Sequence, residues 1–238
     1  MPYFLSEQNL KIGQEVSIAG DEARHILLSH RIKVGEKIKL QGPDKQRFLC
    51  GVKHVLKNGL TVEPLERIEL PKEPAVEIFL FQSAVSEKAL DFIFQKSTEL
   101  GVKNIILFNS ARTATKLSPE IFKKKQQRWQ KIITEAAKQS ERAEVPVLEF
   151  LTGIDQVIKK AQNLDISCVM DITGNSKAVN KNIGSIGLVV GPEGGFDDSE
   201  LEIFKQAKFS FLKIGDILLR AETAALAGVV AVRTSFGF

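Results

Sequence analysis

The chain has little sulfur or imidazole with which to build a site. Two cysteines in 238 residues, Cys50 and Cys168, are too few for a disulfide framework or a cysteine metal knuckle. Three histidines, His25, His30 and His54, fall at spacings that suggest no zinc ligation. No metal is therefore expected. Long apolar runs are also missing: the longest, residues 224–232, is too short to cross a bilayer. The first residues show no charged stretch followed by an apolar run, so no signal peptide and no membrane partner are expected. These absences point to a soluble protein of the cytoplasm. What remains is 43% hydrophobic, enough for a substantial core in one or two domains. The formal charge of +4 permits a nucleic-acid partner without requiring one.

The chemistry concentrates in the last fifth of the chain. The run 186–190 (Ile-Gly-Leu-Val-Val) reads as a strand apolar on both faces and ends at Gly191-Pro192-Glu193-Gly194-Gly195-Phe196. Asp197-Asp198-Ser199-Glu200 then opens an amphipathic helix to about Lys208. A second strand, 209–213, feeds the loop 214–223, which runs into the Ala-rich helix 224–233. Two glycine-bearing loops thus leave the ends of two successive strands, where ligands of open α/β sheets bind. Taken alone, Gly-Gly after a strand also fits an ordinary turn. The run lacks the Gly-Lys-Ser/Thr ending of a phosphate loop, and its spacing is not that of a dinucleotide fingerprint. Glu193 in its middle disfavours a triphosphate and suits a ligand with hydroxyls and a positive centre.

The pairing of Gly191-Pro192-Glu193-Gly194-Gly195-Phe196 with Ile214-Gly215, Leu219-Arg220 and Glu222-Thr223-Ala224 resembles the SPOUT methyltransferases. The similarity is greatest to the RsmE branch, which methylates N3 of a uridine in 16S ribosomal RNA. The resemblance extends through Glu99-Leu100-Gly101-Val102, Arg112, Arg128-Trp129 and the segment 136–142. It implies an α/β fold: a parallel-sheet methyltransferase domain closed by a C-terminal trefoil knot, behind an N-terminal PUA-like β-barrel that grips RNA. It also implies S-adenosylmethionine as cofactor, held by Val190, Gly191, Glu193, Gly194, Gly195, Ile214, Gly215, Leu218, Leu219 and Ala224. The expected partners are ribosomal RNA of the small subunit and a second copy of the chain. Two other readings stay open: an enzyme of the same class acting on another RNA, and a non-catalytic RNA-binding assembly protein.

The first domain is expected over residues 1–70. Runs 15–19 and 36–40 alternate polar with apolar, as half-buried strands do. Runs 48–56 and 60–65 flank Asn58-Gly59, a hairpin signal. Asp21 is a candidate cap for a helix to about His30. Through Lys72 there are twelve Lys and Arg against nine Asp and Glu, which a solvated surface would also explain. The resemblance implies RNA contacts at Arg24, His25, Arg31 and Arg142. Here the chain departs from the family. Ser29-His30 replaces Val-Leu, and an Arg usual near the start is absent.

Pro71 and Pro74 mark a connector to a second domain, 74–238. Strand and helix patterns then alternate, which argues a mainly parallel sheet covered on both faces. Strands are expected at 76–81, 104–108, 145–150 and 166–170. Helices are expected at 87–100, from Ser118-Pro119 to Arg142, and from Thr152-Gly153-Ile154-Asp155, which has capping-box spacing with Asp in place of Glu or Gln, to Gln162; a polar loop spans 171–184. The segment 112–142 holds nine Lys and Arg against three acids, a solvated helix face or an RNA track. Trp129, beside Ile132 and Ile133, reads as core or dimer contact.

Uracil N3 is a weak nucleophile until its proton leaves. A site for it needs a base, or cations that stabilise charge on O2 and O4. The catalytic candidates are Arg220 and Arg112 as cations and Glu222 as base. The family usually carries Gly-x-Arg in the second loop, where this chain has Gly215-Asp216-Ile217.

Overall fold

The computed structural model describes residues 3–174 and 183–236. The chain divides into two compact units, one of residues 1–72 with 137–144, the other of 73–136 with 145–238.

The first unit is a five-stranded sheet in the order β1-β3-β4-β5-β2. Its elements are β1 (Tyr3–Leu5), β2 (Val16–Ala19), α1 (Gly20–Ser29), β3 (Lys37–Gln41), β4 (Arg47–Leu56) and β5 (Gly59–Ile68). β4 and β5 pair antiparallel around Lys57-Asn58, the hairpin that Asn-Gly foretold. β1 pairs parallel to β3. Alternation puts Val16, Ile18, Ile38, Leu40, Phe48, Cys50, Val52, Leu60 and Val62 into one core with Ala23 and Ile26 of α1. Asp21 does not cap α1: the cap position is Ala19, with no side-chain bond, and Asp21 falls in the first turn. There a carboxylate still complements the helix dipole.

Residues 137–144 belong to this unit through polar contacts. The Arg47 guanidinium is buried over the Tyr3 ring, 3.7 Å from its centroid. It donates to Gln41 Oε1 (2.8 Å) and to the carbonyls of Arg142 (2.6 Å) and Glu141 (3.3 Å). Lys39 pairs with Glu141 at 2.8 Å, and Lys138 with Glu22 at 2.9 Å.

The second unit holds a six-stranded, all-parallel sheet in the order β11-β9-β10-β6-β7-β8. Its strands are β6 (Glu77–Ser83), β7 (Asn104–Phe108), β8 (Val147–Leu151), β9 (Ile166–Met170), β10 (Ser185–Val190) and β11 (Ser210–Leu212). Its helices are α2 (Glu87–Glu99), α3 (Pro119–Gln139), α4 (Ile154–Ala161), α5 (Asp198–Gln206) and α6 (Ala221–Phe236). α3 stops at Gln139, short of the expected Arg142. α4 is capped by Gly153 without a side-chain bond, so the capping box expected at Thr152 does not form. The polar loop expected over 171–184 lies partly outside the described residues. Both faces of the sheet are covered. Ile78, Leu80, Ile105, Leu107 and Leu188 pack with α2, α3 and α6. Phe81, Ile106, Phe108, Val169 and Val189 pack with α4 and α5. Trp129, 1% exposed, stacks edge-on to Phe94 at 5.7 Å, a core residue.

α6 is apolar nearly all round and lies against the sheet. Gly228 makes the close approach possible. A Cβ there would stand 2.8 Å from Met170 Sδ and 3.0 Å from Leu188 Cδ2. Arg233, 2% exposed, fastens the helix by donating to the carbonyls of Val76, Gly101 and Leu100. Buried carbonyls left without a donor cost about 1–3 kcal/mol. Arg233→Met is therefore expected to lose about that much stability, read as a lower urea midpoint at unchanged m-value. No helix among the described residues is long and apolar enough to cross a membrane.

Candidate active site

Three neighbouring strands end at one place. β11, β9 and β10 are adjacent and parallel, and the loops leaving their carboxyl ends line one cavity of about 400 Å³. The loop after β9 contributes Asp171, Ile172 and Thr173. The loop after β10 contributes residues 191–196. The loop after β11 contributes Lys213, Ile214, Gly215, Ile217, Leu218 and Leu219, and the start of α6 adds Ala221 and Ala224. Arg112 reaches in from the loop after β7. The sheet order reverses between β6 and β10, as it does at ligand crevices of doubly wound sheets.

The glycine-rich loop is a fixed turn. Gly195 donates to the Pro192 carbonyl at 2.9 Å with φ +67°, a left-handed conformation. Phe196 is buried behind it, 6.4 Å from Phe108 in a parallel stack and edge-on to Phe204 at 5.2 Å. Asp197 then caps α5 in a full capping box. Its Oδ1 accepts the Glu200 N–H at 2.8 Å, while Glu200 Oε2 accepts the Asp197 N–H at 3.0 Å. Bonds from the Ser199 hydroxyl and the Glu200 N–H hold the Asp197 carboxyl below its usual range, and the Arg112 charge adds to this.

The charged groups of the lining are two acids and two bases. Glu193 Oε1 accepts the Ser86 N–H at 3.1 Å. Asp171 Oδ1 accepts the Thr173 N–H at 2.8 Å and its hydroxyl at 2.5 Å. The Arg112 guanidinium donates to the Gly194 carbonyl at 3.1 Å. Lys213 pairs across its own loop with Asp216 at 2.7 Å. That hydrogen bond and charge hold the Asp216 carboxyl below its ordinary value.

All ten residues expected around a cofactor, from Val190 to Ala224, line this cavity. Of the three catalytic candidates only Arg112 does. The wall passes through Leu219, Ala221 and Ala224, so Arg220 and Glu222 stand off it. Arg220 is exposed and Glu222 half-buried, and neither side chain has a hydrogen bond or ion pair among the described residues. Lys213 was missed because it read as the end of a strand; β11 stops at Leu212, which puts Lys213 at the start of the loop. The signal was the lone cation before Gly215.

The residues expected to contact RNA lie in the first unit. Arg24 and Arg31 are exposed. His25 is half-buried and packs edge-on to Phe4 at 5.8 Å and to His30 at 5.4 Å. Arg142 is the exception. It is 7% exposed, and its N–H closes back on the Ala137 carbonyl at 3.0 Å after the end of α3. It is therefore part of the packing and not an open surface contact. The basic segment 112–142 is also less open than its composition suggests. Lys125 and Arg128 pair with Glu87 and Asp91 of α2.

Comparison with known proteins agrees with this geometry. Residues 71–233 match the model of the RNA methyltransferase domain. Ribosomal RNA small subunit methyltransferase E of Bacillus subtilis is 30% identical over 96% of this chain and 93% of its own length. The crystal structure of a ribosomal RNA small subunit methyltransferase E from Neisseria gonorrhoeae, bound to S-adenosyl methionine, superposes with a TM-score of 0.90. It is 30% identical and covers 100% of this chain and 98% of that one. A putative methyltransferase from Legionella pneumophila, also with bound cofactor SAM, gives 0.91 at 26% identity, over 99% of this chain and 98% of that one. The chain belongs to the RNA methyltransferase family, among the ribosomal RNA small subunit methyltransferase E proteins.

Proposed function

We propose that this chain binds S-adenosylmethionine in the three-loop cavity and methylates N3 of a uridine in 16S ribosomal RNA. The observation that carries the reading is the cavity itself, built by loops from the carboxyl ends of β9, β10 and β11 within the segment that matches the family. The lining fits the cofactor. Met170, Val190, Leu212 and Leu219 offer apolar walls to an adenine ring, and Asp171 and Glu193 offer carboxylates to hydroxyls and an ammonium. Two cations balanced by two carboxylates suit a zwitterion and offer no net positive charge to a polyphosphate.

Bound there, S-adenosylmethionine supplies a methyl group activated by its sulfonium charge. The protein must supply a deprotonated N3 in line with it. Arg112 and Lys213 are the cavity cations able to stabilise charge on the uracil oxygens. Lys213 can exchange Asp216 for substrate at little cost, because an ion pair this open contributes about 0–1 kcal/mol. Glu193 and Asp171 are engaged by N–H donors; Glu222, the remaining candidate base, stands off the cavity wall and would take the N3 proton through a bridging water. Arg220, exposed and off the cavity wall, is left as a cation for contact with RNA.

The rest of the reading rests on the resemblance: a trefoil-knotted chain, a PUA-like first domain over residues 1–70, a methyltransferase domain over 74–238, a homodimer, no metal, and work in the cytoplasm where ribosomes assemble. The test is methylation of small subunits from a strain lacking the gene, with nucleosides mapped by mass. A methyl group at uracil N3 supports the reading. A methyl on ribose, or none with intact cofactor binding by calorimetry, overturns it. RNA affinity is expected to come from Arg24 and Arg31. Arg24→Ser with Arg31→Ser should weaken RNA binding and lower its log–log salt slope by about one for each phosphate no longer neutralised. Filter binding over a salt series measures that slope.

A further inference from the structure

We infer that Glu200 is a positioning residue that fixes Arg112 against the glycine-rich loop. This rests on the cavity being the methyl-transfer site. Glu200 is 6% exposed, and its carboxylate is shared between two segments. One oxygen, Oε2, accepts the Asp197 N–H at 3.0 Å and completes the cap of α5. The other, Oε1, accepts the Ala111 N–H at 2.7 Å. Capping needs only the first of these bonds. The second reaches across to the residue before Arg112.

Arg112 closes the circuit, donating back to the Gly194 carbonyl at 3.1 Å. Segments 108–112 and 194–200 are thus joined at three points: Phe108 on Phe196, Ala111 to Glu200, and Arg112 to Gly194. The strand side is anchored as well. Ser110 Oγ lies 3.0 Å from Ser83 Oγ and 3.2 Å from Thr113 Oγ1, all three buried. Of the three joints only Glu200 places a buried charge, and a carboxylate accepting two N–H bonds has a defined direction at each oxygen. Arg112 has one backbone-fixed neighbour and one contact at its tip, and both lead to the cofactor loop. The guanidinium is therefore set in place before any ligand arrives, which is the condition for electrostatic stabilisation without reorganisation.

The test uses the full-length protein. Glu200→Gln keeps one acceptor oxygen and turns an NH2 toward the second N–H, so one of the two bonds is lost. Misplacement by about 1 Å can cost about 10²-fold in rate. Glu200→Gln should lower kcat about tenfold or more, with cofactor affinity by calorimetry within about threefold. Arg112→Ala in the Glu200→Gln background should cost much less than in the parent, because the misplaced guanidinium has little left to lose. A structural role for Glu200 alone predicts a lower melting temperature, parental kcat in the folded protein and additive losses with Arg112→Ala; that result overturns the inference. If Glu200→Gln fails to fold, Glu200→Asp keeps the charge but is too short to serve both N–H groups. It should show the same split between rate and affinity. An Arg112→Ala variant with parental rate would instead count against the reading of the site and not against Glu200 alone.

Discussion

Arg112→Ala is expected to lower kcat by about 10²–10³-fold, the usual loss when one donor to a developing anion is removed. Cofactor affinity should change by less than about threefold. The argument is positional. Arg112 is the candidate cation that lines the cavity and is also bonded to the glycine-rich loop, at the Gly194 carbonyl. That bond is exposed, so water replaces it when the side chain is cut and the loop keeps its turn through Gly195 and Pro192. What is lost is the planar charge that lines the cavity. Arg112→Lys should recover little, because an ammonium cannot donate to two oxygens in one plane. Arg220→Ala should cost less than Arg112→Ala, since Arg220 stands outside the cavity wall. Single-turnover methylation beside calorimetry checks all three. A proportionate loss of cofactor affinity and rate in Arg112→Ala would make it a cofactor-holding residue instead.

The sheet strands were legible because their signals were local. β7 and β9 fall on the residues their apolar runs marked, and the Asn58-Gly59 hairpin formed where its turn chemistry placed it. β1 was not seen: three residues pairing parallel to β3 carry no period to read. The caps at α1 and α4 were misassigned for a related reason. Asp21 and Thr152 are sound cap residues, but the chain enters each helix through Gly20 and Gly153, whose backbone sets the start. The cavity residues came from the resemblance carried by the two glycine-bearing loops; only the first of these follows a buried strand, since β11 is exposed or half-buried along its length. The side chains were harder. Whether Arg220 or Lys213 lines the wall depends on where β11 stops and α6 begins, a difference of one or two residues that no spacing rule resolves. Arg142 shows the same limit. A basic residue after a basic helix reads as surface, and the contacts of 137–144 with Arg47, Lys39, Gln41 and Glu22 hold that segment in the first unit. For that reason a fragment starting at Glu73 would strip those contacts from residues 137–144 and is a poor test of the second unit.

Gly195→Val is expected to weaken cofactor binding by about a hundredfold. Gly195 sits at φ +67°, where a β-branched residue is strained by about 1–3 kcal/mol. The strain is relieved only by moving the loop, since no heavy atom lies within 4 Å of a Cβ built at Gly195 and crowding is not the obstacle. Moving the loop breaks the Gly195 bond to the Pro192 carbonyl and shifts the peptide groups of residues 191–196 that form one wall of the cavity. The ligand is expected to contact backbone here, so no side-chain change elsewhere can compensate. The loop's other end stays fixed, because Phe196 is buried among Phe108 and Phe204 and Asp197 caps α5. The global melting temperature should therefore fall by only a few degrees, about what 1 kcal/mol costs in a chain of this size. Gly195→Asn separates strain from size, because asparagine tolerates the left-handed region. It should retain most of the affinity that valine loses. Equal losses for the two variants would mean that the cavity needs glycine for space, and the conformational argument would be wrong.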